Sequence, residues 1–243
     1  YEGENITPNV LRMQNVKQML PKVINGSGIA CKKIVLSGEM LIKNDDFSKL
    51  NKVCDSQGVK NYSNPRNAAT GISKAKDGEN CEFVTILYYK VAFDGHTMLP
   101  SKLDYFCDKL GVKSIGVYDI KDLLNMYFLV ENDRSYFGFD VDGFVIKEDA
   151  PPVMKGNKPI NYMALKFPAE KAIGRIKEIE YDRSRKGRIV PVAILENKVS
   201  LAGAHVGRIS LGSWELMHKK ELYVGSQVEV SRRNDVIPYI ERY

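Results

Sequence analysis

The stretch Asp140-Val141-Asp142-Gly143-Phe144-Val145-Ile146-Lys147 joins an acidic turn to an apolar strand that ends in a lysine. Side chains alternate along a strand, so Gly143, Val145 and Lys147 share one face. A glycine there lets backbone approach a ligand closely, and a lysine on the same face can sit against a phosphate. Taken alone, the pattern is also that of an ordinary Asp-Gly hairpin. Three further segments of the same character stand in order along the chain. Gly38-Glu39-Met40 follows the apolar run Ile34-Val35-Leu36, and Asn64-Pro65-Arg66-Asn67-Ala68-Ala69-Thr70-Gly71 comes next. Ala164-Leu165-Lys166-Phe167-Pro168-Ala169 comes after the first lysine strand. A carboxylate, an arginine loop and two lysines at strand ends would make a pocket for a ribose phosphate. The carboxylate accepts from ribose hydroxyls and the cations neutralise phosphate oxygens.

The elements that must position these groups alternate in type. Val10, Met13, Val16 and Leu20 have helical spacing, closed by Pro21, so a helix is expected over 6–20. Residues 32–43 read as strand, 47–57 as helix, and 67–74 as a short helix after Pro65. The run FVTILYYKVAF over 83–93 is dense in β-formers. Helices are expected over 101–110, ended by Gly111, and over 120–131. Strands are expected over 139–147 and 163–167, and Pro168 marks a domain boundary. Beyond it, short strands over 172–181, 187–196, 198–201 and 227–232 alternate with polar turns, the spacing of a small β-barrel.

Composition limits the class. At 243 residues with 44% hydrophobic content the chain can build one large or two ordinary cores. No apolar run is long enough to span a bilayer, and no signal peptide is visible. Cys31, Cys54, Cys81 and Cys107 are widely spaced with no CxxC pair, which argues against zinc and for buried thiols in a reducing cytoplasm. His96, His205 and His218 lack metal-ligand spacing, and Trp214 reads as a packing residue. Lys and Arg number 36 against 30 Asp and Glu, a net charge of +6. Residues 169–243 hold 14 Lys/Arg against 10 Asp/Glu, so that part carries +4 of it. A basic excess on a small β domain suits nucleic-acid backbone, although a merely solvated surface has the same composition.

The ordered set of segments resembles the NAD-dependent DNA ligases along nearly the whole chain. Gly3-Glu4-Asn5-Ile6-Thr7-Pro8-Asn9-Val10 looks like the segment just downstream of that family's adenylated lysine. Gly38-Glu39-Met40 is similar to its glycine-glutamate motif, and Tyr62 to Ala69 (YSNPRNAA) to its highly specific loop. Asp142 to Lys147 (DGFVIK) and Ala164 to Ala169 (ALKFPA) resemble its two lysine motifs. Gly187 to Leu195 (GRIVPVAIL) and Arg232 to Pro238 (RRNDVIP) are similar to its oligonucleotide-binding domain. The resemblance implies an α+β fold, with an antiparallel-sheet nucleotidyltransferase (adenylation) domain over 1–168 and a small OB-fold barrel over 169–243.

What the resemblance implies for the site can be set residue by residue. Glu39 would contact ribose, and Arg66 the nucleotide and the nicked-DNA phosphate. Tyr89 would stack on adenine, and an ordinary core tyrosine is its even-weighted alternative. Lys147 and Lys166 would hold the nucleotide phosphate and stabilise charge in transfer. With Asp142, which would position metal or phosphate, and Glu39 they form the catalytic set. Arg134 stands at the spacing of a phosphate-contacting arginine. Lys74 stands where the family usually has arginine, so it keeps the charge and loses the bidentate fork. Arg183, Arg185, Lys186 and Arg188 form a basic run that would track DNA backbone, as would Arg232 and Arg233. NAD would supply the AMP, Mg²⁺ would assist, and nicked duplex DNA would be the substrate, in replication and repair.

The departures fall mostly in the second domain. Ser210-Leu211-Gly212-Ser213 replaces a usual threonine-leucine-histidine-asparagine, Ser184-Arg185-Lys186-Gly187 replaces a glycine-arginine-threonine-glycine turn, and RRNDVIP is one residue short. These bear on the DNA contacts and leave the nucleotide pocket intact. One central motif is lacking: no Lys-x-Asp-Gly occurs in the 243 residues, and Lys76-Asp77-Gly78 is only an imitation. The chain also begins at Tyr1. The expectation is a subunit or fragment whose nucleophile comes from a second chain or segment. A non-catalytic nick- or nucleotide-binding relative is the alternative, against which both pocket lysines argue. The Asn-Pro-Arg-Asn loop argues against an ATP-dependent ligase or capping enzyme.

Overall fold

A computed structural model of the chain describes residues 3–17, 23–24, 29–156, 158–201, 204–233 and 237–242. The chain divides into two compact units, Tyr1–Lys166 and Phe167–Tyr243. Among the described residues, no helix is long and apolar enough to cross a membrane.

The first unit mixes helices with antiparallel sheet. Strand β1 (Ile34–Leu41) pairs with β2 (Thr85–Phe93), which pairs with the short β3 (His96–Thr97). The β-branched and aromatic run of β2 suits a strand buried over most of its length. Helices α2 (Asn44–Gln57), α3 (Pro65–Ser73) and α4 (Leu103–Leu110) bring apolar residues to one core. On α4, Leu103, Phe106, Cys107 and Leu110 are buried at helical spacing, and Gly111 at φ +68° ends the helix as expected. A separate antiparallel ribbon pairs β4 (Gly143–Lys147) with β5 (Tyr162–Lys166). Between α4 and the ribbon lies α5 (Leu123–Asn132), entered through a 3₁₀ turn at Ile120–Asp122.

Several expected boundaries move. The helix expected over 6–20 is only α1 (Thr7–Val10); Leu20 and Pro21 lie outside the described residues. Gln14 instead pairs with β2, donating from its N to Val84 O at 2.8 Å and accepting from Ile86 N at 3.3 Å. Asn15 takes a left-handed φ of +63°, and its side chain binds Ile86 O and receives Lys113 N at 2.6 Å. Met13 is buried and Val10 and Val16 pack beside it, so the apolar spacing reports burial without a continuous helix. The strand expected over 139–147 begins only at Gly143. Before it, the Gly138 carbonyl accepts from Asn44 N at the start of α2, at 2.8 Å.

The second unit is a five-stranded antiparallel sheet. Its strands are β6 (Lys171–Arg183), β7 (Ile189–Leu201), β8 (Ala204–Ser210), β9 (Gln227–Arg233) and β10 (Ile237–Arg242), in the order β8-β7-β6-β9-β10. The edge strands β8 and β10 approach each other, curling the sheet into a barrel around Ile176, Ala193, Ile209, Val228 and Val230. Helix α6 (Trp214–Lys219) buries Met217 in that core. Strands expected separately over 187–196 and 198–201 are one strand here, with its register shifted between Ile194 and Val199. The polar Glu196-Asn197 imitates a turn in the sequence but sits at that irregularity.

Candidate nucleotide site and nucleic-acid surface

The β4–β5 ribbon sets the two lysines at opposite ends of one face. Gly143 pairs with Lys166, Val145 with Ala164, and Lys147 with Tyr162. Four residues of strand separate the lysine-bearing pairs, roughly 13 Å along the ribbon. Val145 is 60% exposed and Ala164 is exposed between them, so a ligand lying along this stretch has an ammonium at each end. Gly143 is needed for a reason other than the expected approach to a ligand. Its φ is +155°, and a Cβ there would stand 2.2 Å from Leu165 O and 2.7 Å from Lys166 Cα. The glycine lets β4 close on the backbone of β5 at the very pair that carries Lys166.

The two ammonium groups have different surroundings. Lys147 Nζ donates to Tyr89 O at 3.3 Å and lies 5.7 Å from the Tyr89 ring centre and 5.4 Å from that of Tyr162. Burial there pushes its pKa below the ordinary lysine value. Lys166 Nζ is 3.1 Å from Asp142 Oδ2, with both side chains about half exposed. Tyr162 went unnoticed in the sequence. Its signal was register: a strand ending in Lys166 and paired from Gly143 sets Tyr162 opposite Lys147. A small cavity of about 60 Å³ lies between Tyr89, Met98, Leu99, Leu103, Lys147 and Tyr162. That is room for about two water molecules and too little for a nucleotide.

Glu39 stands on β1. It is exposed and pairs with Leu87. Ser37 pairs with Lys90 and Gly38 with Tyr88, so Tyr89 is an extra residue on β2, a β-bulge. Two adjacent tyrosines differ here: Tyr88 is 7% exposed and belongs to the core, whereas Tyr89 is 40% exposed. The core-tyrosine alternative thus describes Tyr88, and the neighbour of Lys147 is the half-open Tyr89. A Cβ on Gly38 would fall 2.9 Å from Leu87 O, so glycine is required beside the bulge.

Arg66 is exposed on the first turn of α3, which packs against β1. Asn64 caps that helix by accepting from Asn67 N at 2.8 Å, with Pro65 in the first turn. The exposed stripe of α3 runs through Arg66, Asn67, Thr70 and Gly71 to Lys74, whose ammonium is 3.1 Å from Glu4 Oε2. Asn9, from the N-terminal segment, donates to Ser73 O at 3.0 Å and Ala75 O at 2.7 Å and so ties down the end of α3. Lys76-Asp77-Gly78 is a structural turn: Arg12 donates to Asp77 O at 2.9 Å, and Gly78 is buried with φ +67°. Arg134 is partly buried, and its carbonyl accepts from Val141 N at 3.2 Å.

A metal would find one carboxylate at the ribbon. Among the described residues no group of three or more His, Cys, Asp and Glu could hold an ion. Asp142, at the end that carries Lys166, supplies oxygens of the hard type that Mg²⁺ prefers. Mg²⁺ commonly binds through one carboxylate, waters and substrate phosphate, so the residue fits that mode.

In the second unit, Arg183, Arg185, Lys186 and Arg188 are all exposed around the β6–β7 turn. The turn is set by Ser184 N donating to Arg188 O at 2.8 Å, Gly187 N to Ser184 O at 2.9 Å, and Gly187 at φ +77°. Arg232 is partly buried and donates to Leu201 O at 3.1 Å, a bond between barrel strands. The Arg233 side chain and residues 234–236, the middle of RRNDVIP, lie outside the described residues. Trp214, expected to be a packing residue, is 52% exposed.

An antiparallel α+β unit with lysines at paired strand ends, followed by an OB-type barrel, is the plan of a nucleotidyltransferase joined to a nucleic-acid-binding fold. Family models give its particular kind. The NAD-dependent DNA ligase adenylation domain matches residues 1–170, and the NAD-dependent DNA ligase OB-fold domain matches residues 173–243. The chain belongs to the NAD-dependent DNA ligase family. It is 31% identical to a DNA ligase of Gluconobacter oxydans over 98% of this chain and 36% of that protein. A DNA ligase of Sorangium cellulosum is 32% identical over 98% of this chain and 34% of its own length. The chain thus spans about a third of the length of these curated relatives. A solved structure titled "Pmar-Lig_Pre." shares the fold at a TM-score of 0.50 and 12% identity, over 86% of this chain and 50% of that one.

Proposed function

We propose that this chain is the nucleotide- and DNA-holding part of an NAD-dependent ligase that seals nicks in duplex DNA. Residues 1–168 would handle the nucleotide and residues 169–243 the DNA, in the cytoplasm where the chromosome lies. The observation that carries the reading is the β4–β5 ribbon, with Lys147 and Lys166 at either end of one open face. A cation fixed at each end of a nucleotide-length stretch would stabilise charge as it develops in transfer.

In the first step a lysine amine attacks the α-phosphate of NAD and nicotinamide mononucleotide leaves. The AMP then passes to the 5′-phosphate of the nick. The 3′-hydroxyl finally attacks that phosphate, sealing the strand and releasing AMP. The nucleophile we assign to a Lys-x-Asp-Gly segment outside these 243 residues, on a second chain or a neighbouring segment, and without it the chain would be inactive. Lys147 and Lys166 would sit against the transferring phosphate, and their charge would help keep the attacking amine unprotonated. Glu39 would accept from the ribose, and the half-exposed ring of Tyr89 would stack on adenine. Arg66, Lys74 and Arg134 would meet phosphates on the way to the nick. Mg²⁺ held by Asp142 and phosphate oxygens would supply Lewis-acid assistance. Arg183, Arg185, Lys186 and Arg188 would follow the DNA backbone, with Arg233 beside them. Arg232, bonded within the barrel, would act mainly through its neighbours.

The test is complementation. Mixing this chain with a segment carrying Lys-x-Asp-Gly should restore sealing of nicked DNA with NAD and Mg²⁺. A folded, associated mixture that never seals would leave the non-catalytic relative as the better description.

A further inference from the structure

The OB unit carries a row of open aromatic rings that neither the nucleotide pocket nor the basic turn uses. Trp214 starts α6, where Ser213 Oγ accepts from Leu216 N at 3.1 Å. Its ring centre is 5.6 Å from that of Tyr181, tilted by 38°, and 5.0 Å from that of His218, at 65°. Tyr181 is 54% exposed and Trp214 52%, while Met217 of the same helix is buried in the core. Arg183 follows Tyr181 on the same face of β6, and its cross-strand partner Ile189 is 71% exposed. Glu180 and Asp182 point to the opposite face, where Arg208 takes up both carboxylates, the second at 3.1 Å. The face bearing the rings is therefore cationic at its edge.

We propose that Tyr181, Trp214 and His218 form a stacking platform for unpaired bases, with the Arg183-to-Arg188 turn holding the adjoining phosphates. The ligand is single-stranded nucleic acid, such as an unpaired end. Every base offers a π face, so such stacking tolerates any sequence, and nearby arginines steer the backbone. A protein partner would also favour exposed Trp and Tyr, but the edge of Arg183, Arg185, Lys186 and Arg188 favours phosphate. The platform works without NAD, so its test is separate from that of sealing.

Trp214 is the single tryptophan of the chain, so its emission reports on the site alone. The 243-residue chain is titrated at low salt with oligothymidylate of roughly 12 nucleotides, within the reach of one OB fold. Saturable quenching is expected, with little change on adding a blunt duplex of equal length. Trp214→Ala and Tyr181→Ala should each weaken binding of a labelled oligonucleotide by about tenfold, leaving the salt dependence unchanged. Binding without quenching, no binding, equal quenching by blunt duplex, or variants that bind like the wild type would each overturn the proposal. Should Trp214→Ala fail to fold by circular dichroism, Tyr181→Ala with Trp214 in place gives the decisive reading. Lost quenching with sealing intact would leave the ligase reading standing, and the reverse result would leave the platform standing.

Discussion

The pocket cations of the first unit and the turn cations of the second carry the same charge in opposite settings. Lys147 is desolvated between two tyrosine rings and bonded to a carbonyl, and Lys166 is paired with Asp142. Arg183, Arg185, Lys186 and Arg188 stand exposed around a turn. A cation that acts on charge developing at one phosphate must be fixed beforehand, and holding it costs desolvation. A cation that neutralises a long polyanion needs no single position, and its effect is screened by salt. On the proposed reading, the ribbon would serve chemistry and the turn affinity.

The largest effect should come from breaking the ribbon's ends. In the complemented enzyme, Lys147→Ala or Lys166→Ala should lower AMP transfer by about 100- to 1,000-fold, by analogy with loss of one preorganised charge-stabilising group. Binding of nicked DNA, followed by anisotropy, should hold. Equal loss of binding in these variants would erase the contrast between the two regions.

The setting of Lys147 also sharpens the contrast through pH. Its folded pKa lies below the ordinary 10.5, and burial is the cause. Below the lowered value both folded and unfolded states are charged, and the fold bears the desolvation penalty. As pH rises through that value toward 10.5 the penalty is relieved, but the charge that would serve the proposed transfer is lost. Single-turnover AMP transfer should therefore decline on the alkaline side before an ordinary lysine would titrate. Lys147→Arg, whatever its absolute rate, should lose that alkaline limb.

Gly143→Ala forces a methyl group against Leu165 O at the lysine ribbon. It should cost roughly 1–3 kcal/mol in urea unfolding, unless the ribbon opens, in which case AMP transfer falls and global stability is spared. The smallest effect belongs to the turn. Arg185→Ala with Lys186→Ala should weaken nicked-DNA binding modestly and flatten its salt dependence by roughly one unit of slope per lost phosphate contact. Enzyme adenylation should persist.

The sequence was most legible where a motif coincides with a strand end. The Asp-Gly strand, its lysine and the Ala-Leu-Lys strand are all found as strands, because β-formers and a bounding glycine act locally. What stayed hidden depends on partners distant in the chain. Tyr89 and Tyr88 look alike in sequence; strand alternation sets them on opposite faces, but which face is covered depends on what packs against β2. Tyr162 matters through its register with Lys147. The spacing of Val10, Met13 and Val16 imitated a helix because Gln14 and Asn15 bond to β2, a pairing about 70 residues away that no local period encodes. Asp142 was expected near phosphate or metal, and its pairing with Lys166 needed the antiparallel register to be seen.

Intact-mass measurement after incubation with NAD and Mg²⁺ tests the central claim most directly, because it shows which polypeptide takes the nucleotide. This chain alone should gain nothing. With a Lys-x-Asp-Gly segment added, the mass of one AMP should appear on that segment and not on this chain, and Lys147→Ala should slow its appearance by the same factor as AMP transfer. An AMP adduct on the 243-residue chain by itself would contradict the account.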